Sequence, residues 1–462
     1  MIPFSLAEIA AATGGRVDAA DPAATVTGPV VADSRAVAAG GLFVAVPGGR
    51  VDGHEFAGAA VAAGAAAVLA QRPVGVPAVV VLDSVEGLGR LAQAMLRRID
   101  PTVVGVTGSS GKTSTKDLLA QVLASRGPIV APPGSYNTEI GLPLTVLSAD
   151  ETTRTLVLEM GARGVGHIAY LCRIAPPDVG VVLNVGSAHV GEFGGREAVA
   201  RSKGELVEAL EETGTAVLNG DDPLVRNMAE RTAARVVMFG ESVHSDIRAD
   251  QISLDDHGRP SFRLVTPSGE HRVKLGLVGE HHVSNALATA AVAETLGISV
   301  QDVAGALSKA TPRSRWRMEV VERPDGVTVV NDSYNANPES MRAALKALTA
   351  IGKHRRTWAV LGEMRELGDV AAAEHDALGR FAVRQDVSRI VAVGPGAEAV
   401  QRGAADEGVR GDDAAWVPDV DAALELLMRQ VEPGDVILVK ASRAAGLDRL
   451  AEALVNLGVT GR

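Results

Sequence analysis

What most limits the folds open to this chain is an alternation that begins at residue 101. Short β-branched runs at Val103–Val106, Thr155–Leu158, Val179–Leu183, Thr215–Leu218 and Val236–Met238 are separated by Ala- and Leu-rich stretches of helical character. Buried strands spaced by helices predict a parallel, doubly wound α/β sheet. The pattern breaks at a Pro- and Arg-containing segment near Ala310–Arg315, then restarts with Val327–Val330, Trp358–Leu361, Ile390–Val393 and Val436–Val439. Asp100–Pro101 marks an earlier break, and the residues before it read as a smaller α/β or α+β unit. There, Ser5 and Glu8 have capping-box spacing ahead of a short helix stopped at Gly14–Gly15, and another helix runs into a strand at Ala66–Ala70. At about 150 residues per domain, a chain of 462 residues allows roughly three. The expected divisions are 1–100, 101–312 and 313–462.

Composition narrows the function classes. Hydrophobic residues make up 46% and charged residues 22%, which supports packed cores and excludes a mainly disordered chain. A formal charge of −11 gives no general pull toward nucleic acid or anionic membrane. The single cysteine, Cys172, can form neither an internal disulfide nor a multi-cysteine metal site, which suits a reducing compartment. No basic residue precedes Arg16, so the N-terminus is a poor secretion signal. The most apolar stretch, Phe56–Ala70, is mostly Ala and Gly and too short to cross about 30 Å of hydrocarbon. A cytoplasmic protein with no nucleic-acid partner and no membrane insertion is expected.

The strand Val103–Val106 runs into Thr107-Gly108-Ser109-Ser110-Gly111-Lys112-Thr113, and a helix is expected over Ser114–Ser125. That order suits phosphate binding. Glycines let backbone N–H groups approach oxygens, the helix N-terminus adds partial positive charge, Lys112 can reach the outer phosphates, and the Thr113 hydroxyl can ligate Mg²⁺. The longer G-x-x-x-x-G-K-T pattern is not met, because Val106 stands at its first glycine. A plain Gly/Ser turn is the alternative. Two more residues fall on the same sheet edge: Glu159 closes the strand Thr155–Leu158, and His189 follows the strand Val179–Leu183. A ligand-binding edge of this kind lies at the C-terminal ends of parallel strands. Thr113, Glu159 and His189 could therefore converge on magnesium, although a helix-capping acid and an ordinary loop histidine are the alternatives.

These segments resemble a known family. The loop, Tyr136-Asn137-Thr138-Glu139-Ile140-Gly141-Leu142-Pro143, Leu158–Ile168 and Ser202-Lys203-Gly204-Glu205 are similar to the central domain of the Mur ligases, ATP-dependent amide-forming enzymes of peptidoglycan synthesis. The likeness continues through Gly279–Ala286 and Lys440-Ala441-Ser442-Arg443. Two positions depart from the family pattern: His282 stands where Asn is usual, and Ala441 where Gly is usual. Asp33-Ser34-Arg35, Gly40–Gly48 and Asp52–Phe56 resemble a uridine-binding domain found in two branches of the family. Asp332-Ser333-Tyr334-Asn335-Ala336-Asn337-Pro338 resembles the mark of the branch that adds a terminal dipeptide, and the D-Y-A-H-x-P run of the third-residue branch is absent.

The resemblance implies three domains: a small N-terminal α/β uridine-binding unit, a central P-loop-type doubly wound, mostly parallel sheet, and a C-terminal Rossmann-like α/β unit. It implies transfer of the γ-phosphoryl of ATP to a carboxylate, then displacement of phosphate by an amine. The substrates would be UDP-N-acetylmuramoyl-tripeptide and D-alanyl-D-alanine, with the third residue, diaminopimelate or lysine, left open. Thr107, Gly108, Ser109, Ser110, Gly111, Lys112, Thr113 and Ser114 would cradle ATP, joined across a domain junction by Asn285, Arg317 and Asp332. Thr113, Glu159 and His189 would hold magnesium, and Lys203 would carry a carbamate that helps bind a second ion. Lys112, Lys203, His189 and Arg317 would thus serve the chemistry. Ser34 and Arg35 would meet the uridine diphosphate, Asn137 and Thr138 the muramoyl-peptide, and Tyr334, Asn335, Lys440, Ser442 and Arg443 the dipeptide. A monomer is expected. Structural alternatives stand beside several of these: a Lys203–Glu205 surface pair, a solvated linker charge at Arg317, turns at Asn137 and Thr138, a cap and surface salt bridge at Ser34 and Arg35, and a helix cap at Asn337–Pro338. The main rival classes are another amide ligase of this architecture and a P-loop switch or motor. A GTPase would be expected to carry an N-K-x-D motif, which is absent.

Overall fold

The computed structural model describes residues 1–49, 51–132, 134–186, 195–409 and 411–457. Three main sheets follow one another along the chain. The first has five strands in the order Arg16–Asp18, Ala78–Val80, Ala67–Ala70, Leu42–Val44 and Val30–Val31, parallel except for the Arg16–Asp18 edge. Its opening helix, Leu6–Thr13, has both halves of the capping box between Ser5 and Glu8, and ends at Gly14 in the left-handed conformation. The long helix Ser84–Ile99 does not stay with this unit alone. Its Leu88, Leu91 and Met95 share a core with Leu142, Val146, Leu171 and Ile174 of the next one, so the two units are fixed by a common apolar layer.

The central sheet has nine strands, in the order Gly269–Lys274, Pro260–Thr266, Ile247–Leu254, Arg235–Gly240, Thr215–Asn219, Val179–Val182, Thr102–Thr107, Thr155–Glu159 and Ile129–Val130. The first three are joined antiparallel and the other pairings are parallel. Successive residues of the inner strands enter opposite apolar layers: Val103, Leu156 and Leu158 on one face, Val104, Val106 and Val157 on the other. That accounts for their near-continuous apolar sequences. From Thr102–Thr107 the chain first moves to one side of that strand and later returns on its other side at Val179–Val182. The turn after Thr107 therefore lies at a topological switch point, where ligands of open α/β sheets bind.

The C-terminal sheet has six strands, in the order Glu319–Glu322, Thr328–Asn331, Val436–Lys440, Thr357–Gly362, Arg389–Val393 and Ala414–Val417, with only the first pair antiparallel. Apolar layers again cover both faces. The fold class expected from the sequence is the one observed. Among the features not anticipated are the antiparallel extension Ile247–Lys274, the edge strands Ile129–Val130, Glu319–Glu322 and Ala414–Val417, and most of the short strands of the first unit. The loop helix also begins at Lys112 rather than Ser114 and ends at Val122, because Gly111 with φ 82° makes the left-handed turn that starts it. No helix among the described residues is long and apolar enough to cross a membrane.

In the C-terminal unit the helices Ala371–Arg384 and Glu398–Asp406 touch through glycines: a Cβ on Gly379 would lie 1.9 Å from the Val400 carbonyl oxygen. Because that obstacle is backbone, Gly379→Ala is expected to destabilise the protein by about 1–3 kcal/mol. A thermal melt with the transition temperature unchanged would contradict this close packing.

Candidate active site

The phosphate loop is held open by its neighbours. Asn184, at the end of the adjacent strand, accepts the Ser110 N–H at 2.9 Å and donates to the Ser110 carbonyl at 3.2 Å. The Ser109 N–H bonds the Asn184 carbonyl at 3.1 Å, and the Ser109 hydroxyl accepts the Gly186 N–H at 2.9 Å. Lys112 Nζ donates to the Gly108 carbonyl at 2.6 Å. A Cβ at Gly111 would sit 2.6 Å from Asn285 Oδ1, so both the dihedral and the space require glycine.

Asn285 is steered in turn by His282. Its Nδ2 donates to His282 Nδ1 at 3.3 Å, while its Oδ1 accepts from Thr115 at 3.3 Å. Burial, then the neighbouring His281, holds the His282 imidazole well below its usual pKa, which leaves the ring neutral and able to accept. The histidine thus supplies Asn285 with a hydrogen-bond acceptor.

Glu159 stands at the end of its strand with 0% exposure. Its Oε2 accepts from the hydroxyls of Ser135 at 2.9 Å and Thr113 at 3.4 Å, whereas buried Oε1 has no hydrogen-bond partner. A buried carboxylate oxygen without a donor needs explanation. A hard cation provides one, since Mg²⁺ takes one or two protein carboxylate or hydroxyl oxygens and fills its shell from phosphates and water. The residues present therefore fit magnesium. Among the described residues no cluster of three His, Cys, Asp or Glu side chains accompanies Glu159, and His189 lies outside the described residues. Burial raises the Glu159 pKa, opposed by Lys116, Lys112 and Arg317 in that order. Burial likewise pushes Lys112 down. Lys203, buried on the helix Arg196–Glu208, is pushed well down by burial and secondarily by Lys112.

Glu205 does not pair with Lys203. Its carboxylate accepts the N–H groups of Gly166 at 2.6 Å and Ala169 at 2.9 Å, capping the helix His167–Ile174.

The C-terminal unit reaches the loop directly. Arg317 donates to Thr113 Oγ1 at 3.1 Å, and its guanidinium lies 4.2 Å from the Tyr334 ring centroid, so it is no free linker charge. Asn337 both caps the helix Pro338–Ile351, with Pro338 in the first turn, and donates from Nδ2 to the Ser109 carbonyl at 3.2 Å. Asp332 accepts the Met318 N–H at 3.1 Å on one oxygen and Lys440 Nζ at 2.6 Å on the other. Together these elements line a cleft of about 1200 Å³ that also includes Asn137, Thr138, Ser114, Lys203, Asn335, Ser442 and Arg443.

Some expected residues have other commitments. Lys440, expected at the dipeptide, is 2% exposed and also donates to the Asn335 carbonyl at 2.9 Å. The Ser442 hydroxyl accepts the Arg365 N–H at 2.9 Å. Arg443 keeps an exposed guanidinium, 4.1 Å from the Trp316 ring and paired with Asp448 at 2.8 Å. Ser34 and Arg35 form a turn outside the cleft lining, where Arg35 is paired with Asp33 at 2.7 Å. Ser135 and Asn184 were not singled out from sequence. Asn184 directly follows the apolar run ending at Leu183, a position on the binding edge that could have flagged it.

This fold and site match known families at every unit. Residues 29–99 match the model described as Mur ligase family, catalytic domain, residues 106–293 the Mur ligase middle domain, and residues 316–443 the Mur ligase, glutamate ligase domain. The chain belongs to the Mur ligase family. It is 51% identical over 500 aligned positions, 98% of each chain, to the UDP-N-acetylmuramoyl-tripeptide–D-alanyl-D-alanine ligase of Mycobacterium tuberculosis H37Rv, and 33% identical to the protein of that name from Escherichia coli K12, covering 99% of this chain and 100% of the other. Among solved structures it is similar to MurF from Acinetobacter baumannii, with TM-score 0.89 and 31% identity over 98% and 99% of the two chains. It is also similar to MurF ligase from Thermotoga maritima in complex with ADP, with TM-score 0.81 and 34% identity over 94% and 98%.

Arg317→Ala removes a guanidinium that touches Thr113 and is expected to lower kcat by about 10²–10³-fold while nucleotide still binds. Arg317→Lys should recover little, because a point charge cannot both stack on Tyr334 and reach the hydroxyl. Steady-state turnover with parallel ADP titration checks both, and a wild-type kcat in either variant would contradict the assignment.

Proposed function

We propose that this chain is an ATP-dependent amide ligase that joins D-alanyl-D-alanine to UDP-N-acetylmuramoyl-tripeptide, giving UDP-N-acetylmuramoyl-pentapeptide, ADP and phosphate. One observation carries the reading: the phosphate loop and Arg317 of the C-terminal unit line a single cleft that Asp83, Val85 and Glu86 of the first unit also reach, with Glu159 buried directly behind Thr113. The mycobacterial relative bears the name of this reaction, and the Thermotoga relative was crystallised with ADP. In this reading residues 1–100 hold the UDP-sugar, 101–312 hold ATP, and 313–462 hold the dipeptide. The protein works as a monomer in the cytoplasm.

A free carboxylate is a poor acyl donor because its oxygen would leave as oxide. Attack of that oxygen on the γ-phosphorus breaks the bond to ADP and makes an acyl phosphate. The dipeptide amine then forms the C–N bond, phosphate departs with the C–O electron pair, and the nitrogen gives up its proton. Phosphoryl transfer asks mainly for positioning and charge neutralisation. Lys112 turns from the Gly108 carbonyl to the outer phosphates, backbone N–H groups of Gly108–Ser114 meet the inner ones, and Arg317 faces the transferring group. Asn285 and Asp332 complete the nucleotide site, the latter by fixing the backbone beside Arg317. Magnesium, when bound, neutralises phosphate oxygens. Thr113 and Glu159 would hold it, with His189 and a carbamate on Lys203 as ligands for two ions in all. The depressed Lys203 amine supports this, since only neutral amine reacts with CO₂. Asn137 and Thr138 face the muramoyl-peptide, and Tyr334, Asn335, Ser442 and Arg443 the dipeptide. Lys440 serves that site by holding Asp332 and the Asn335 carbonyl. Ser34 and Arg35 meet the uridine diphosphate, where Arg35 exchanges its exposed pair with Asp33 for phosphate at little cost.

Phosphate release should require UDP-muramoyl-tripeptide and D-alanyl-D-alanine together, with the pentapeptide seen by mass spectrometry. Comparable release with ATP and Mg²⁺ alone would instead mark a free-running NTPase. Lys203→Ala is expected to lose ligation and to regain part of it with short carboxylates but not with bicarbonate. Full activity of that variant would refute the carbamate.

A further inference from the structure

One turn beyond Thr113, the loop helix carries a second lysine that the ligase reading does not use. Lys116 is 1% exposed, and a buried ammonium is retained only with partners. Its partners are the Asp117 carboxylate at 2.8 Å and the carbonyls of Pro132 at 2.6 Å and Gly134 at 3.5 Å. Those carbonyls lead into Ser135, whose hydroxyl donates to Glu159 and accepts from Asn137 Nδ2, each at 2.9 Å. On the other side, Asp117 uses its remaining oxygen to accept the Ser314 N–H at 3.1 Å. One turn further, Gln121 bonds both the N–H and the carbonyl of Thr311 at 3.0 Å. Thr311 and Ser314 belong to the linker that enters the C-terminal unit and delivers Arg317.

We propose that Lys116 and Asp117 are positioning residues that tie the Ser135–Thr138 segment and the interdomain linker to the helix holding the phosphates, with Gln121 as a second linker anchor. The acceptor carboxylate, the transferring phosphoryl group and Arg317 then share one frame. Packing alone does not call for such a pair, since apolar side chains of similar volume hold a helix as well as a buried ion pair does. What the pair adds is direction: each member reaches out to a different segment of the cleft.

This inference rests on the ligase reading, so the wild-type chain is assayed first with ATP, UDP-muramoyl-tripeptide and D-alanyl-D-alanine. A wild type that makes no pentapeptide counts against that reading, not against the coupling. Lys116→Met, Lys116→Arg, Asp117→Asn and Gln121→Ala are then compared per active site, with sites counted by ADP titration. Lys116→Met is expected to raise the KM for UDP-muramoyl-tripeptide, and Asp117→Asn to lower kcat, each on the order of 10–100-fold, since small misplacements remote from the chemistry cost that much. The Kd for ADP should stay at the wild-type value, Lys116→Arg should recover most of the loss, and Gln121→Ala should move kcat in the same direction as Asp117→Asn. If Lys116→Met does not fold, the Asp117 and Gln121 variants carry the test. Unchanged constants per active site, or losses matched by equal losses of ADP-binding sites, would overturn the proposal.

Discussion

The site depends on one electrostatic imbalance. Around the buried carboxylate of Glu159 the fold gathers Lys112, Lys116 and Arg317, and Lys203 stands near enough to Lys112 for the two to repel. Among the described residues, Lys116 alone of these four forms an ion pair, with Asp117. Burial first, and then repulsion from Arg317 at Lys112 and from Lys112 at Lys203, pushes these two ammonium groups toward neutrality. Such a set of charges is complementary to a polyphosphate with divalent metal. Among the described residues no side chain donates to Glu159 Oε1, which leaves its lone pairs open to a hard cation.

A second constraint follows from dividing the site between two units. Arg317 must cross from the C-terminal sheet to Thr113, and the backbone that brings it there is strained on both sides. Trp316 has φ 59° and Met318 φ 50°, a left-handed conformation that is uncommon for bulky residues and costs on the order of 1–3 kcal/mol each. Specific bonds hold it. Glu319 accepts the Trp316 N–H, the Trp316 carbonyl accepts the Tyr334 N–H, and Asp332 accepts the Met318 N–H. Lys440 in turn fixes Asp332, so a buried ion pair within the C-terminal sheet reaches the phosphate site through two residues of backbone.

How much of this was legible in the sequence depends on whether the information is local. The phosphate loop, its strand and its helix are contiguous, and Glu159 was readable because a strand's end is fixed by its own apolar run. Lys440 also ends an apolar strand, yet it serves differently. The strand Val436–Lys440 pairs with Thr328–Asn331 in a register that sets Asn331 beside Val439, and Asp332 therefore arrives within reach of the Lys440 ammonium. Nothing local to Lys440 encodes that neighbour. The clasp of Asn184 on Ser110 and the Asp117–Ser314 bond escape sequence reading for the same reason. The antiparallel extension was missed on other grounds. Its strand Pro260–Thr266 alternates buried and half-buried residues, a period-2 signal distinct from the continuous apolar runs of the parallel strands.

The departure at His282 shows what that position supplies. Asn285 must present Oδ1 toward Thr115 and the backbone of Gly111, which requires its Nδ2 to donate elsewhere. An asparagine carbonyl could accept that hydrogen, and a neutral imidazole nitrogen does so here. A protonated ring could not, because both nitrogens would then be donors. Burial, with the His281 ring tilted against it at 4.3 Å between centroids, keeps the ring neutral. What residue 282 supplies in this chain is thus an acceptor of fixed direction. Histidine fills that role because burial keeps the ring neutral, and the Asn285 Oδ1 that it helps to orient is the atom that leaves Gly111 no room for a side chain.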